Sequence, residues 1–191
     1  PTVAQVRAMK PGAVLVSFLW PLARPDVVAA LVERRVTAFA LDRVPRISRA
    51  QAMDALSSQA NIAGYKAALL AADALPRLLP LLMTAAGTIT PARFVVMGAG
   101  VAGLQAIATA RRLGAVVEVS DVRRAAKEQV ESLGARFIEV DGAEDLEGAG
   151  GYAKEASADF LERQRAEVAR RVANADAVIT TALIPGRPAP R

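Results

Sequence analysis

The segment Val95 to Asp121, VVMGAGVAGLQAIATARRLGAVVEVSD, constrains this chain more than any other. An apolar strand runs into a glycine turn, an alanine-rich helix follows, and a second apolar strand ends on an acid. Gly98, Gly100 and Gly103 form G-x-G-x-x-G. At that spacing the first glycine suits a tight turn, the second lets backbone approach a pyrophosphate, and the third lets helix and strand pack closely. Ala99 lies inside the turn, and Val101 and Ala102 open the helix. Their N–H groups would face the phosphates with the positive end of the helix dipole behind them. Asp121, followed by Val122 and Arg123, can accept both ribose hydroxyls of an adenosine. The competing explanation keeps the glycines for packing alone. A strand before, a helix after and an acid at the right distance argue against it.

Composition narrows the chemistry. Hydrophobic residues make up 53% of the 191 and charged residues 23%, so a sizeable core is expected and disorder is excluded for most of the chain. The net charge is +5, but cations and acids are interleaved and only 4% of residues are aromatic. A nucleic-acid surface, which needs clustered cations and stacking rings, is not expected. The chain has no Cys and no His. Disulfides and thiolate chemistry are excluded, no imidazole can act as a base, and no metal site is expected. The most apolar region, Ala67 to Met83, is broken by Asp73, Pro76, Arg77 and Pro80, too often to span a bilayer. The sequence begins at Pro1 with no signal-like segment, and reads as a piece of a longer protein.

The other elements follow from pattern. Ala13 to Trp20 and Val36 to Leu41 are continuous apolar runs and read as buried parallel strands. Between them Pro25-Asp26 starts a helix with Val28, Leu31 and Val32 on one face. Asp42 to Ala50 is a polar, Arg-rich connection. A long helix follows, with Met53, Leu56, Ala60, Ala63, Ala67, Leu70 and Ala74 as its buried stripe. Gln51, Asp54, Ser57 or Ser58, and Asn61 lie opposite. Ser and Asn are poor helix residues, so this face is either plain solvated surface or a ligand-facing one. Pro76 and Pro80 restart a short apolar helix, and Gly87 to Pro91 is a turn. After Asp121, a helix faces inward through Val122, Ala126, Val130 and Leu133, and Arg136 to Val140 is a third strand. Asp141 to Gly151 is an acidic, glycine-rich loop ending at Tyr152, which either staples the loop or touches a ligand. Ala153 to Asn174 is a helix with Phe160, Leu161, Val168 and Val172 inward. Ala177 to Thr181 is a fourth strand, ahead of a Pro-rich tail.

Four stretches together carry a resemblance: RISRAQAMDALSSQ (Arg46 to Gln59), GAGVAGLQAIATARRLGA (Gly98 to Ala115), KEQVESLGA with GGYAKE (Lys127 to Ala135, Gly150 to Glu155), and TTALIPGRPAP (Thr180 to Pro190). They resemble the NAD(H)-binding domain of proton-translocating nicotinamide nucleotide transhydrogenases, in the family shared with alanine dehydrogenases. The resemblance implies an α/β fold: two Rossmann-like parallel-sheet parts with a nucleotide cleft between them, both incomplete in this chain. Residues 1–56 would be the C-terminal part of a truncated first domain with its hinge. Residues 57–191 would be the NAD-binding domain with its lead-in helices, itself incomplete at its C-terminus.

Carried across by position, the family's loop beside the nicotinamide falls on Arg46, Gln51 and Asp54, with Ile47 and Ser48 between them and Ser57 as a further contact. Its closing loop falls on the segment ending in Gly151 and Tyr152. Gln164 and Leu183 match further positions lining the nucleotide. The implied reaction is hydride transfer from NADH here to NADP+ on a partner domain, coupled to proton translocation. The implied setting is a peripheral domain, pairing as a homodimer on the cytoplasmic face of the inner membrane beside a membrane-spanning subunit. The lack of His agrees, because hydride passes between two nicotinamides without a proton. Two alternatives stay open: a soluble amino-acid dehydrogenase of the alanine type, and a nucleotide-binding module without catalysis.

Overall fold

A computed structural model of the chain describes residues 1–140 and 157–182. Contacts divide the chain into two compact units, Pro1–Gln59 and Ala60–Arg191.

The first unit is a small β-α-β arrangement. Helix α1 (Val3–Arg7) opens with a reciprocal cap, in which the Thr2 N–H donates to Gln5 Oε1 at 2.8 Å and the Gln5 N–H donates to Thr2 Oγ1 at 3.2 Å. Strand β1 (Val14–Ser17) pairs in parallel with β2 (Thr37–Ala40), and α2 (Pro25–Glu33) connects them. Val6, Leu19, Val27, Ala30 and Leu31 form the core. Both strands are shorter than the apolar runs suggest, and neither is buried on both faces. Val14 is 64% exposed and Val16 60%, because α1 and α2 cover one side of the pair only. The inward face of α2 is Val27, Ala30 and Leu31, not Val28, Leu31 and Val32. Val32 is 73% exposed.

Between β2 and α3 (Ala55–Ala74) the chain makes two tight 3-10 turns, Leu41–Arg43 and Ser48–Met53. The packed stripe of α3 is shifted from the expected one. Gly64 and Ala68 are buried and Ala67, Ala71 and Ala72 pack partly, whereas Met53 and Leu70 are 60% and 56% exposed. Ala63 and Ala74 are exposed as well. Close approach decides the phase. A Cβ on Gly64 would lie 2.0 Å from the Ala102 carbonyl oxygen, so only glycine lets α3 cross the next helix there.

In the second unit, Leu82–Thr84 (β3) and Gly87–Ile89 (β4) form an antiparallel hairpin in place of the expected helix and turn. Pro76 and Pro80 remove two helix donors, and Gly87 turns the chain at φ +131°. The main sheet contains β5 (Arg93–Met97), β6 (Val116–Ser120), β7 (Arg136–Phe137) and β8 (Ala177–Thr180). All are parallel, in the order β7-β6-β5-β8. Helices α4 (Val101–Arg112), α5 (Ala126–Ser132) and α6 (Ala158–Val172) accompany this sheet. Phe94, Val96, Val117 and Val119 pack with Ile107, Ala110 and Val130 in one core. Removing a ring such as Phe94 from that core costs about 3–5 kcal/mol. On α6, Phe160 and Val168 are buried, while Leu161 is exposed.

This order puts the first strand of the main sheet, β5, between its second and its fourth. It is the doubly wound dinucleotide-binding arrangement, and its direction reverses between β5 and β8. A crevice outside the carboxyl ends of those two strands is where such sheets take ligands.

Candidate dinucleotide site

The glycine motif sits at that crevice. Gly98 leaves β5 at φ +99°, a conformation costly for any residue with a side chain. Its N–H donates to the Ser120 carbonyl at 2.8 Å, which ties the turn to the end of β6. Gly100 caps α4 from an extended conformation. A Cβ there would meet nothing within 4 Å, so the second glycine faces open space. The third does the opposite. A Cβ on Gly103 would lie 1.9 Å from the Gly98 carbonyl oxygen and 2.9 Å from Thr181 Oγ1. Among the described residues, no acceptor meets the N–H groups of Gly100, Val101 and Ala102. The first turn of α4 thus offers backbone donors and a positive dipole end, beside a glycine with room in front of it. A pyrophosphate fits these features.

Asp121 stands at the end of β6, its side chain only 7% exposed. Oδ2 accepts the Ala99 N–H at 2.7 Å and Arg123 Nη2 at 2.8 Å. Oδ1 accepts the Arg123 backbone N–H at 2.9 Å and Nε at 3.0 Å. Burial works against the charged form. The Arg123 guanidinium and the N–H groups of Ala99 and Arg123 outweigh it, so the pKa lies below the ordinary carboxylate value. Asp121 is therefore ionised at neutral pH. Half-buried Val122 follows it. One residue before it, Ser120 Oγ accepts from Gln164 Nε2 of α6 at 3.3 Å.

The Arg46–Ser57 segment belongs to the first unit. Arg46, Ile47, Ser48 and Gln51 are exposed, the last two on the 3-10 turn. Asp54 ends that turn and caps α3, accepting Ser57 Oγ at 2.6 Å and the Ser57 N–H at 2.9 Å. Those two bonds, with help from the Arg46 charge, hold the Asp54 carboxyl below its usual pKa. Asp54 and Ser57 are thus tied to each other at the start of α3, with the exposed Arg46, Ser48 and Gln51 on the chain before them.

The structure brings Gly98 to Gly103, Asp121, Val122, Arg123 and Gln164 together at one end of one sheet. It brings Arg46, Asp54 and Ser57 together in the first unit. Gly151, Tyr152 and Leu183, with the acidic loop and the Pro-rich tail, lie outside the described residues. Sequence reasoning misses Ser120, Gly64 and Thr181. A polar residue closing an apolar strand next to the motif's own strand is the available signal for Ser120 and Thr181. Gly64 gives none, because a helix glycine looks the same whether or not something crosses it.

Comparison with known families bears on both units. The description "Alanine dehydrogenase/PNT, N-terminal domain" fits residues 1–63, and "Alanine dehydrogenase/PNT, C-terminal domain" fits residues 67–191. The chain belongs to the alanine dehydrogenase/PNT family. Within this family, the first of the polypeptides that make up the NAD(P) transhydrogenase subunit alpha of Rhodospirillum rubrum is 55% identical over 188 residues, covering 97% of this chain and 49% of that protein. The Haemophilus influenzae NAD(P) transhydrogenase subunit alpha is 48% identical over 191 residues, all of this chain and 37% of the relative. The chain thus spans half or less of the length of these relatives. A transhydrogenase crystal structure from Sinorhizobium meliloti aligns over the whole chain and 51% of its own, with TM-score 0.85 and 51% identity. An L-alanine dehydrogenase aligns over the whole chain and 47% of its own, at TM-score 0.70 and 24% identity. That second likeness is one of fold. As an alanine dehydrogenase/PNT member, the chain has the mixed α/β, parallel-sheet architecture expected of it.

Proposed function

We propose that this chain is the NAD(H)-binding part of a transhydrogenase, in which hydride passes between NADH bound here and NADP+ on a partner domain. The observation that carries the reading is the 55% identity to a transhydrogenase α subunit across 97% of this chain. The site chemistry supports it. Gly98 to Gly103 cradle the pyrophosphate, Asp121 with Val122 and Arg123 takes the adenosine ribose, and Gln164 supports that end. Arg46, Ile47, Ser48, Gln51, Asp54 and Ser57 supply the groups that handle the nicotinamide. Gly151, Tyr152 and Leu183 complete the contacts. No proton moves on either nicotinamide, so a sequence without His suits the reaction. Catalysis rests on bringing two rings together and keeping water away.

The same reading places the domain on the cytoplasmic face of the inner membrane, beside a membrane-spanning subunit that couples the reaction to proton translocation. Among the described residues no helix is long and apolar enough to cross a membrane. Two copies of the domain associate. The β3–β4 hairpin supports that pairing, since among the described residues no strand pairs with its outer edges and Met83 is 85% exposed. This 191-residue chain contains one dinucleotide fingerprint, so it is silent without its partner.

The test is turnover by the full-length protein mixed with an NADP(H)-binding partner domain. NADH-dependent reduction of an NADP+ analogue, absent when either component is left out, is the expected result. NAD+-dependent oxidation of alanine by the full-length protein without any partner would support the amino-acid dehydrogenase instead. Nucleotide binding without turnover under any partner would leave the non-catalytic module.

A further inference from the structure

We propose that Thr181 is a positioning residue of the nucleotide site, acting through the Gly98–Ala99 peptide. This rests on the dinucleotide reading above. Thr181 follows the last residue of β8, and its N–H donates to the Met97 carbonyl at 2.8 Å, extending the β5–β8 pairing past the strand end. Its hydroxyl lies 2.9 Å from the Gly98 carbonyl oxygen and 3.2 Å from that of Met97. A hydroxyl has one proton to give, and the shorter contact takes it. On the other side of the same peptide, the Ala99 N–H donates to Asp121 at 2.7 Å. One peptide plane is thus pinned at its oxygen from β8 and at its nitrogen from β6. The N–H groups of Gly100, Val101 and Ala102 follow directly and inherit that orientation.

The glycines are fitted to this hydroxyl. A Cβ on either Gly98 or Gly103 would come within 2.9 Å of Thr181 Oγ1. Thr181, Gly98 and Gly103 therefore meet at one point, where the strand order reverses. A valine in place of Thr181 has the same shape, yet it sets a methyl against the Gly98 oxygen. Carbon needs about 3.3–3.6 Å from a carbonyl oxygen, so the turn must rotate or the two strands must part. Either motion re-aims the phosphate donors. Arg46 and Gln51, the groups proposed for the nicotinamide end, belong to the other unit.

The experiment compares T181V and T181S with wild type in the full-length protein, using calorimetry with NADH and with ADP-ribose, steady-state kinetics with the NADP(H)-binding partner, and thermal melting. T181V should weaken both ligands by about tenfold. It should raise KM for NADH by a similar factor and leave kcat near wild type. T181S, which keeps the hydroxyl, should bind within about twofold of wild type. Wild-type affinities in T181V, or a lowered melting temperature with unchanged affinities, would overturn the proposal. So would a T181S variant as weak as T181V, or a loss confined to kcat. Failure of the wild type itself to bind NADH would instead remove the dinucleotide reading on which the proposal stands.

Discussion

The Ala99 N–H reaches the Asp121 carboxylate across 2.7 Å, so the acid that ends β6 also anchors the glycine turn after β5. The same carboxylate accepts three N–H groups of Arg123. Its charge is held by the turn it holds. Ribose recognition and the shape of the phosphate cradle therefore share one side chain.

Replacing Asp121 with Asn keeps an acceptor for Ala99 but removes the charge. A charge-assisted contact to a ribose diol is worth about 1.5–3 kcal/mol, so NADH affinity should fall roughly ten- to a hundredfold. Discrimination against the 2′-phosphate of NADPH should shrink with it. Calorimetry on wild type and D121N measures both. Equal affinity of the wild type for NADH and NADPH would contradict NAD(H) as the ligand, and Arg123 and Arg124 make that comparison a stringent one.

Acid should destabilise the glycine-turn unit through the same residue. The Asp121 pKa is lower in the folded protein than in the unfolded chain. Its contribution to stability is thus complete above the unfolded value, about 3.9, and is lost as pH falls through the folded one. Denaturant midpoints measured below about pH 4 should drop more steeply for wild type than for D121N. Parallel curves would mean that the carboxylate contributes no folding free energy.

Gly100 and Gly103 should fail in different ways. Gly103→Ala forces a Cβ to 1.9 Å from the Gly98 oxygen, and overpacking of that kind costs about 1–3 kcal/mol or more. Gly100→Ala meets open space, so its melting temperature should be close to wild type while NADH affinity falls. A G100A protein that binds NADH normally would mean the pyrophosphate does not approach there.

Much of this is legible in the sequence, for specific reasons. The strand-turn-helix-strand around Gly98 and Asp121 is readable because the apolar strands, the glycines and the terminal acid all encode one local geometry. The first unit reads less well. Val14 and Val16 are as apolar as any core residue, and an apolar run does not say how many of its faces are covered. The α3 stripe is displaced by about one residue from its sequence pattern because Ala55 to Ala74 is alanine-rich nearly all round, and the deciding residue, Gly64, has no side chain. The β3–β4 hairpin is hidden by Pro76 and Pro80, which look like helix starts but here lie in the irregular stretch after α3. At the site, the polar character of Asp54 and Ser57 is legible, but not that each is the other's hydrogen-bond partner at the helix cap.

That cap separates two effects at Asp54. Asp54→Ala should lower stability by about 1 kcal/mol, because it uncaps α3. Asp54→Asn still caps and should keep stability. Under the proposed role, D54N and Gln51→Ala both slow hydride transfer in the reconstituted enzyme far more than they weaken NADH binding. Variants that lose binding but keep their maximal rate would make these residues simple anchors.

The most direct measurement of the central claim follows the hydride itself. NADH carrying deuterium at the transferred position is supplied to the full-length protein with its NADP(H)-binding partner, and the NADPH formed is analysed by mass. Direct transfer predicts that every new NADPH carries the label, with none lost to water. NADPH formed without deuterium, or label released to solvent, would contradict transfer between two juxtaposed nicotinamides.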